Sequence, residues 1–284
     1  MERLGDILKH FIKTEHISDE PIKYCKFCGK PLYKVQLFRR DGNDWKPIGI
    51  PFIESCDCEE AQKERELRQL QEYLQREKAN KIKTLLDYSG LGEIYLDKTF
   101  DNWNKKYNKA AYNAVFNYAK SWPKMSEQGK GLYIYGAYGT GKTHLVAALA
   151  NYVIKKYLIR VIFGTITKLF MPLKDAIGLG DTYLLQRERE RLYKVDLLII
   201  DDLGKERPTD FVSEELYMLI NTRYENKKPI VITSNYTLEE FADKYDKWTK
   251  DYGDKDLGSA MKSRLFEMCY YIKMDGPDYR LLKR

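Results

Sequence analysis

Eight consecutive residues carry the most specific chemistry in the chain. Gly136, Ala137, Tyr138, Gly139, Thr140, Gly141, Lys142 and Thr143 fit the pattern G-x-x-x-x-G-K-[ST] at every fixed position. Glycines let a backbone curl until successive N–H groups point inward, and a helix beginning near Lys142 adds the positive end of its dipole. Such a loop suits the phosphates of a nucleotide. Lys142 is placed to reach the outer phosphates and the Thr143 hydroxyl to ligate magnesium, while His144 follows directly and counts with the loop.

A second cluster lies in "VDLLIIDDLG", where four apolar residues run into Asp201 and Asp202. In an open parallel sheet, ligands collect at the carboxyl ends of the strands, so these acids are expected to face the glycine loop. Asp201 would then hold magnesium and Asp202 would polarise an attacking water as general base. Another apolar run, "KPIVITSNY", ends in Asn235, which is set to orient that water.

The cysteines make a separate group. Cys25 and Cys28 form a Cys-x-x-Cys knuckle, and after 27 intervening residues Cys56 and Cys58 form a Cys-x-Cys. Four thiolates complete a closed tetrahedral zinc site, and close pairs in a chain with no secretory signal point to metal more readily than to disulfides. Cys269 stands in an apolar run and is expected in the core.

These groups need elements to hold them. The chain has 284 residues, 43% of them hydrophobic, which supports one large domain and a small one. No run of about 18 apolar residues occurs and "MERLGDILKH" lacks the pattern of a signal peptide, so a cytoplasmic protein without membrane contact is expected. The net charge of +7 sits mostly beyond residue 90 and permits nucleic-acid contact without requiring it. From Met1 to about Glu20 the spacing of Leu4, Ile7, Leu8, Phe11 and Ile12 is weakly helical. A ribbon of two strands around "RRDGND" follows, then a long charged helix over 59 to 86 that "YSGLG" ends. Strands at Leu132 to Tyr135, Val161 to Gly164, Leu197 to Ile200, Ile230 to Thr233 and Cys269 to Met274 alternate with helices, the pattern of a parallel sheet covered on both faces.

The order of these motifs resembles that of AAA+ ATPases, specifically the DnaC/DnaI-type replicative helicase loaders and their relatives, the IstB-type transposition helpers. "TFDNW" (99 to 103), "GAYGTGKTH", "LLIIDDLG", "NTRYENKKPIVITSN" (221 to 235), "GSAMKSRLFEM" (258 to 268) and "GPDYR" (276 to 280) carry the likeness over residues 95 to 284. The resemblance implies an α/β P-loop NTPase with a five-stranded parallel sheet, binding ATP and magnesium. It makes Asn235 the first sensor, Arg264 an arginine finger acting on ATP of a neighbouring subunit, and Arg280 the second sensor. Two guanidinium groups brought to a terminal phosphate neutralise the charge that develops in phosphoryl transfer. AAA+ proteins usually carry Asp-Glu where this chain has Asp201-Asp202, a pair that resembles many members of the loader subfamily, and the shorter second acid suits a slow switch.

By the same resemblance, residues 1 to 58 are a zinc-binding domain that contacts a hexameric helicase, 59 to 94 a helical linker and 95 to 284 the ATPase domain, which assembles with further copies in the ATP state. A zinc ribbon also suits nucleic acid, and Arg39, Arg40 and Lys46 near Trp45 would serve that purpose. Within the ATPase domain, Lys168, Phe170 and Lys174 are candidates for single-stranded DNA, through stacking in a basic groove. An amphipathic core helix would instead turn Leu169 and Phe170 inward. The functions open at this point are a helicase loader, an IstB-like transposition helper and a scaffold that binds ATP without useful hydrolysis.

Overall fold

In the computed structural model, residues 12 to 41, 44 to 104, 106 to 250, 256 to 279 and 281 are described, with backbone alone at 249 and 250. The chain divides into two compact units, residues 1 to 78 and 79 to 284. The first holds an antiparallel sheet in the order β1-β4-β5, formed by β1 (Ile12–His16), β4 (Lys34–Asp41) and β5 (Asp44–Ile53). It also holds a small hairpin of β2 (Lys23–Tyr24) and β3 (Pro31–Leu32) beside the cysteines. The helical spacing expected up to about residue 20 fails over Ile12–His16, which is a strand. β-Branched Ile12 and Thr14 suit an extended chain, and pairing with Val35 to Arg39 outweighs the local periodicity. Met1 to Phe11 lie outside the described residues.

Helix α1 (Glu59–Ser89) has no interior Gly or Pro and stops where Gly90 takes φ +70°. Short α2 (Glu93–Leu96), α3 (Lys109–Lys120) and α4 (Trp122–Glu127) lead into the large sheet. Its strands are β6 (Gly131–Gly136), β7 (Val161–Gly164), β8 (Leu197–Leu203), β9 (Ile230–Ser234) and β10 (Cys269–Met274), all parallel, in the order β10-β6-β9-β8-β7. This is the five-stranded parallel sheet expected of the AAA+ fold.

Alternation along the strands divides the core into two layers. Leu132, Ile134, Leu197, Ile199 and Val231 face one side, packing with α3 and α5 (Lys142–Tyr157). Tyr133, Leu198, Ile200, Ile230 and Ile232 face the other, packing with α6 (Ile166–Gly178), α7 (Thr182–Lys194), α8 (Asp210–Glu225), α9 (Leu238–Lys250) and α10 (Leu257–Met268). Cys269 is buried in that second layer, as expected. So is Phe170, at 1% exposure, with its ring edge-on to Phe211. The stacking role considered for Phe170 is therefore corrected: no ring face is open to a base. Lys168 and Lys174 of the same helix remain exposed.

Among the described residues, one charged side chain is completely buried. The Arg223 guanidinium donates to the carbonyls of Leu192, Tyr193 and Val195 at 2.8, 3.2 and 3.1 Å, and to Pro229 at 2.5 Å. It thereby satisfies the last carbonyls of α7 and ties that helix to the start of β9. Arg223→Met is expected to lower the unfolding free energy by about 3 kcal/mol, because buried carbonyls lose their donors, and Arg223→Lys to recover only part of it. Urea denaturation of the three proteins measures both effects.

Candidate nucleotide site and cysteine cluster

β6 ends at Gly136 and α5 begins at Lys142, so the glycine loop spans the carboxyl edge of the sheet beside the ends of β8 and β9. Its geometry demands particular glycines. Gly139, at φ +72°, lies so close to Asp278 that a Cβ would fall 1.9 Å from its carboxylate, and Gly141, at φ +95°, would push a Cβ to 2.7 Å from the Trp103 ring. The Thr140 hydroxyl braces the turn by donating to the Ala137 carbonyl at 3.0 Å. Tyr138 is exposed at the loop's crest.

Lys142 is buried, and its ammonium donates to the carbonyls of Gly136 and Ala137 and to Asn235 Oδ1, at 2.8, 2.7 and 2.9 Å. Asn235 Nδ2 is buried with no hydrogen-bond partner among the described residues. An orphan donor beside a buried ammonium fits a phosphate oxygen. The Thr143 hydroxyl donates to Asp201 Oδ1 at 3.0 Å, so the two expected magnesium ligands do meet.

Asp201 and Asp202 are set by an irregularity in β8. The register against β9 shifts between Ile200 and Leu203, and Asp202 takes φ +57°. Thr233 stabilises the departure: its hydroxyl accepts the Asp202 N–H at 2.8 Å and donates to Asp201 Oδ1 at 2.6 Å. Asp202 is left half-buried, with Lys205 Nζ 2.6 Å from its Oδ2. Burial, and then the neighbouring charge of Asp202, raise the Asp201 pKa above the usual carboxylate value, against the lowering by Thr233 and Thr143.

A cavity of about 460 Å³ covers these groups, lined by Lys142, Thr143, Asp201, Asp202, Lys205 and Asn235 among others. A second, of about 270 Å³, shares Gly141, His144 and Tyr279 with it and is walled by Trp103, Asn104 and Tyr107. The Trp103 and His144 rings meet edge to face at 5.1 Å, and Tyr107 and Tyr279 lie 4.3 Å apart. A polar cavity for phosphates beside an aromatic one for a base is the layout of a nucleotide site.

Of the remaining predicted residues, Arg264 lies on α10 and lines neither cavity. Its guanidinium donates to Asn221 Oδ1, to the Ala260 carbonyl at 3.0 Å and to the Tyr217 hydroxyl at 3.3 Å. Arg280 lies outside the described residues.

The five-stranded parallel sheet agrees with the comparisons. The family model of the IstB-like ATP binding protein matches residues 56 to 284. The chain belongs to that family. This IstB-like protein is accordingly an ATP-binding ATPase with the AAA+ fold. It is 30% identical over 216 residues to the phage-like element PBSX protein XkdC of Bacillus subtilis, covering 72% of this chain and 74% of that protein. The replicative helicase loader DnaI of Bacillus subtilis is 24% identical over 173 residues, covering 60% of this chain and 54% of its own length. Among solved structures, the DnaC helicase loader superposes with a TM-score of 0.53 at 27% identity, over 65% of this chain and all of that one.

In the small unit of the IstB-like protein, the Sγ atoms of Cys25, Cys28, Cys56 and Cys58 all lie within 4.8 Å of one another. Cys25 and Cys58 are 3.8 Å apart and Cys28 and Cys56 3.4 Å. A disulfide needs about 2.05 Å, whereas sulfurs about 2.3 Å from a tetrahedral zinc sit about 3.8 Å from one another. The backbone N–H groups of Cys28 and Phe27 pull the Cys25 thiol down to about 6, while the Cys56 sulfur raises Cys28, and burial with the neighbouring sulfurs raises Cys58.

Sequence reasoning gave no site role to Trp103 and Tyr279, although "TFDNW" and "GPDYR" contain them, and missed Tyr107 and Thr233, whose hydroxyl inside the apolar run "IVITS" was an available signal. It also passed over Lys205.

The raised pKa of Asp201 has two consequences. Without metal, this carboxyl binds its proton more tightly folded than unfolded, so the stability it contributes is present at low pH and is lost as pH rises through the raised value. A magnesium ion requires the carboxylate. Affinity for nucleotide with magnesium is therefore expected to fall, on acidification, at a higher pH than an ordinary aspartate would dictate. Titrations across pH with magnesium, with EDTA and with Asp201→Asn measure it, and the fall should vanish in the last two.

Proposed function

We propose that this protein is an ATP-dependent loader that docks on a hexameric replicative DNA helicase and delivers it to single-stranded DNA, with ATP hydrolysis as the release switch. The observation that carries the reading is the position of Arg264. The phosphate cavity is lined by lysines and, among the described residues, by no arginine. Arg264 is held elsewhere by Asn221 and Tyr217. Arg264 of a neighbouring copy is the proposed finger for this site, so bound ATP favours assembly. Two proteins named as helicase loaders are similar to this chain, DnaI in sequence and DnaC in fold, which supports the loader purpose.

Within one subunit, Asp202 takes a proton from the attacking water and Asn235 Nδ2 orients it. Lys142 offsets phosphate charge, and Thr143 with Asp201 would hold magnesium, which would offset further charge on the phosphates. ATP supplies the phosphoryl group to be transferred. Slow turnover follows from the short reach of Asp202.

Residues 1 to 58 form the proposed helicase-contacting domain, built around zinc held by Cys25, Cys28, Cys56 and Cys58. The family model begins at residue 56, so most of this unit lies outside the match. A second reading, an IstB-like transposition helper acting with a transposase on duplex DNA, draws on the family description itself. The separate cysteine-bearing unit favours the loader.

Two measurements test this. Elemental analysis of the purified protein is expected to find about one zinc per chain, falling well below that in Cys28→Ser, with loss of thermal stability on chelation. Light scattering with a hexameric replicative helicase is expected to show a stable complex in ATP. Arg264→Ala should bind nucleotide normally yet lose most of the hydrolysis and the ATP-dependent assembly. A complex absent in both ATP and ADP would overturn the loader reading.

A further inference from the structure

The turn after β8 holds a cation that belongs to none of the motifs. Lys205 lines the phosphate cavity, and its ammonium sits 2.6 Å from Asp202 Oδ2 and 5.2 Å above the ring of Tyr138, at the crest of the glycine loop. Exposed ion pairs between long side chains are usually weak, because two flexible groups must be held in one geometry. Here the backbone does much of that holding. The Lys205 N–H donates to the Asp202 carbonyl at 3.3 Å, closing a tight turn through Gly204 at φ +94°. Within the turn, Leu203 has its carbonyl bonded by the Ser234 hydroxyl at 2.7 Å; just after it, the Glu206 carboxylate accepts the Gly204 N–H at 3.0 Å and the Tyr245 hydroxyl at 2.5 Å. Asp202 and Lys205 are thus presented to each other by a braced loop.

We infer that Lys205 is a positioning residue that restrains Asp202 and keeps the unassisted rate of ATP hydrolysis low. A carboxylate that activates water must offer a free oxygen lone pair in the direction of the water. While Oδ2 accepts the ammonium, that oxygen is withheld and the carboxylate is held in one orientation, so turnover waits on the fraction of time the pair is open. Tyr138 adds a second tether to the ammonium, from the loop that carries the phosphates. The inference rests on the proposed role of Asp202 as general base.

Steady-state hydrolysis without helicase or DNA tests it. Lys205→Met is expected to raise kcat about three- to fivefold with KM and the affinity for a fluorescent nucleotide unchanged, and Lys205→Arg to keep the low rate. In an Asp202→Asn background, Lys205→Met should bring no gain. A lower or unchanged kcat in Lys205→Met, or a raised KM, would overturn the inference, the latter marking Lys205 as a phosphate ligand. Asp202→Asn alone reports on the underlying assignment: if it hydrolyses ATP as fast as the unaltered protein, Asp202 is not the base, whatever Lys205 does.

Discussion

One hydroxyl underlies the geometry of the nucleotide site. Thr233, in the middle of the buried sheet, accepts the N–H of Asp202 and donates to the carboxylate of Asp201. At that point β8 leaves its register with β9, and a ladder N–H would otherwise be stranded in the interior. Because Thr233 takes it, the strand can turn and send two successive acids toward one cavity, where an undisturbed strand would send them to opposite faces. The contact between Asp201 and Thr143, and so the relation of β8 to the glycine loop, follows from that turn.

Much of the fold was legible because the large sheet is buried on both faces. Its strands read as short continuous apolar runs between helices, a pattern that few architectures besides a covered parallel sheet produce. Legibility fell where burial is slight. β1 is largely exposed, so its residues carry no alternation and only pairing with β4 makes them a strand. Phe170 was ambiguous for a related reason: a ring on an amphipathic helix looks the same in sequence whether it meets a core or a base, and only its place against Phe211 decides.

The site divides along another line. Groups contributed by one continuous segment, such as the glycine loop, the acid pair and each cysteine knuckle, were visible because their spacing is their chemistry. Groups gathered from several segments were not. Trp103, Tyr107 and Tyr279 wall one cavity although nothing in their local sequence links them. Asn235 was anticipated at the tip of its strand, but its bond to Lys142 and its unsatisfied Nδ2 belong to the folded chain alone.

The left-handed backbone at Asp202 bears on the one departure from the resemblance, the aspartate where AAA+ proteins usually have glutamate. A non-glycine residue at φ +57° is strained by about 1 kcal/mol or more, and aspartate and asparagine enter that region several times more readily than other side chains. Glutamate would reach farther toward a water but would fit this backbone less well. At position 202 the turn therefore acts as a filter on side chains before any chemistry is considered, and aspartate is the only acid that passes it easily.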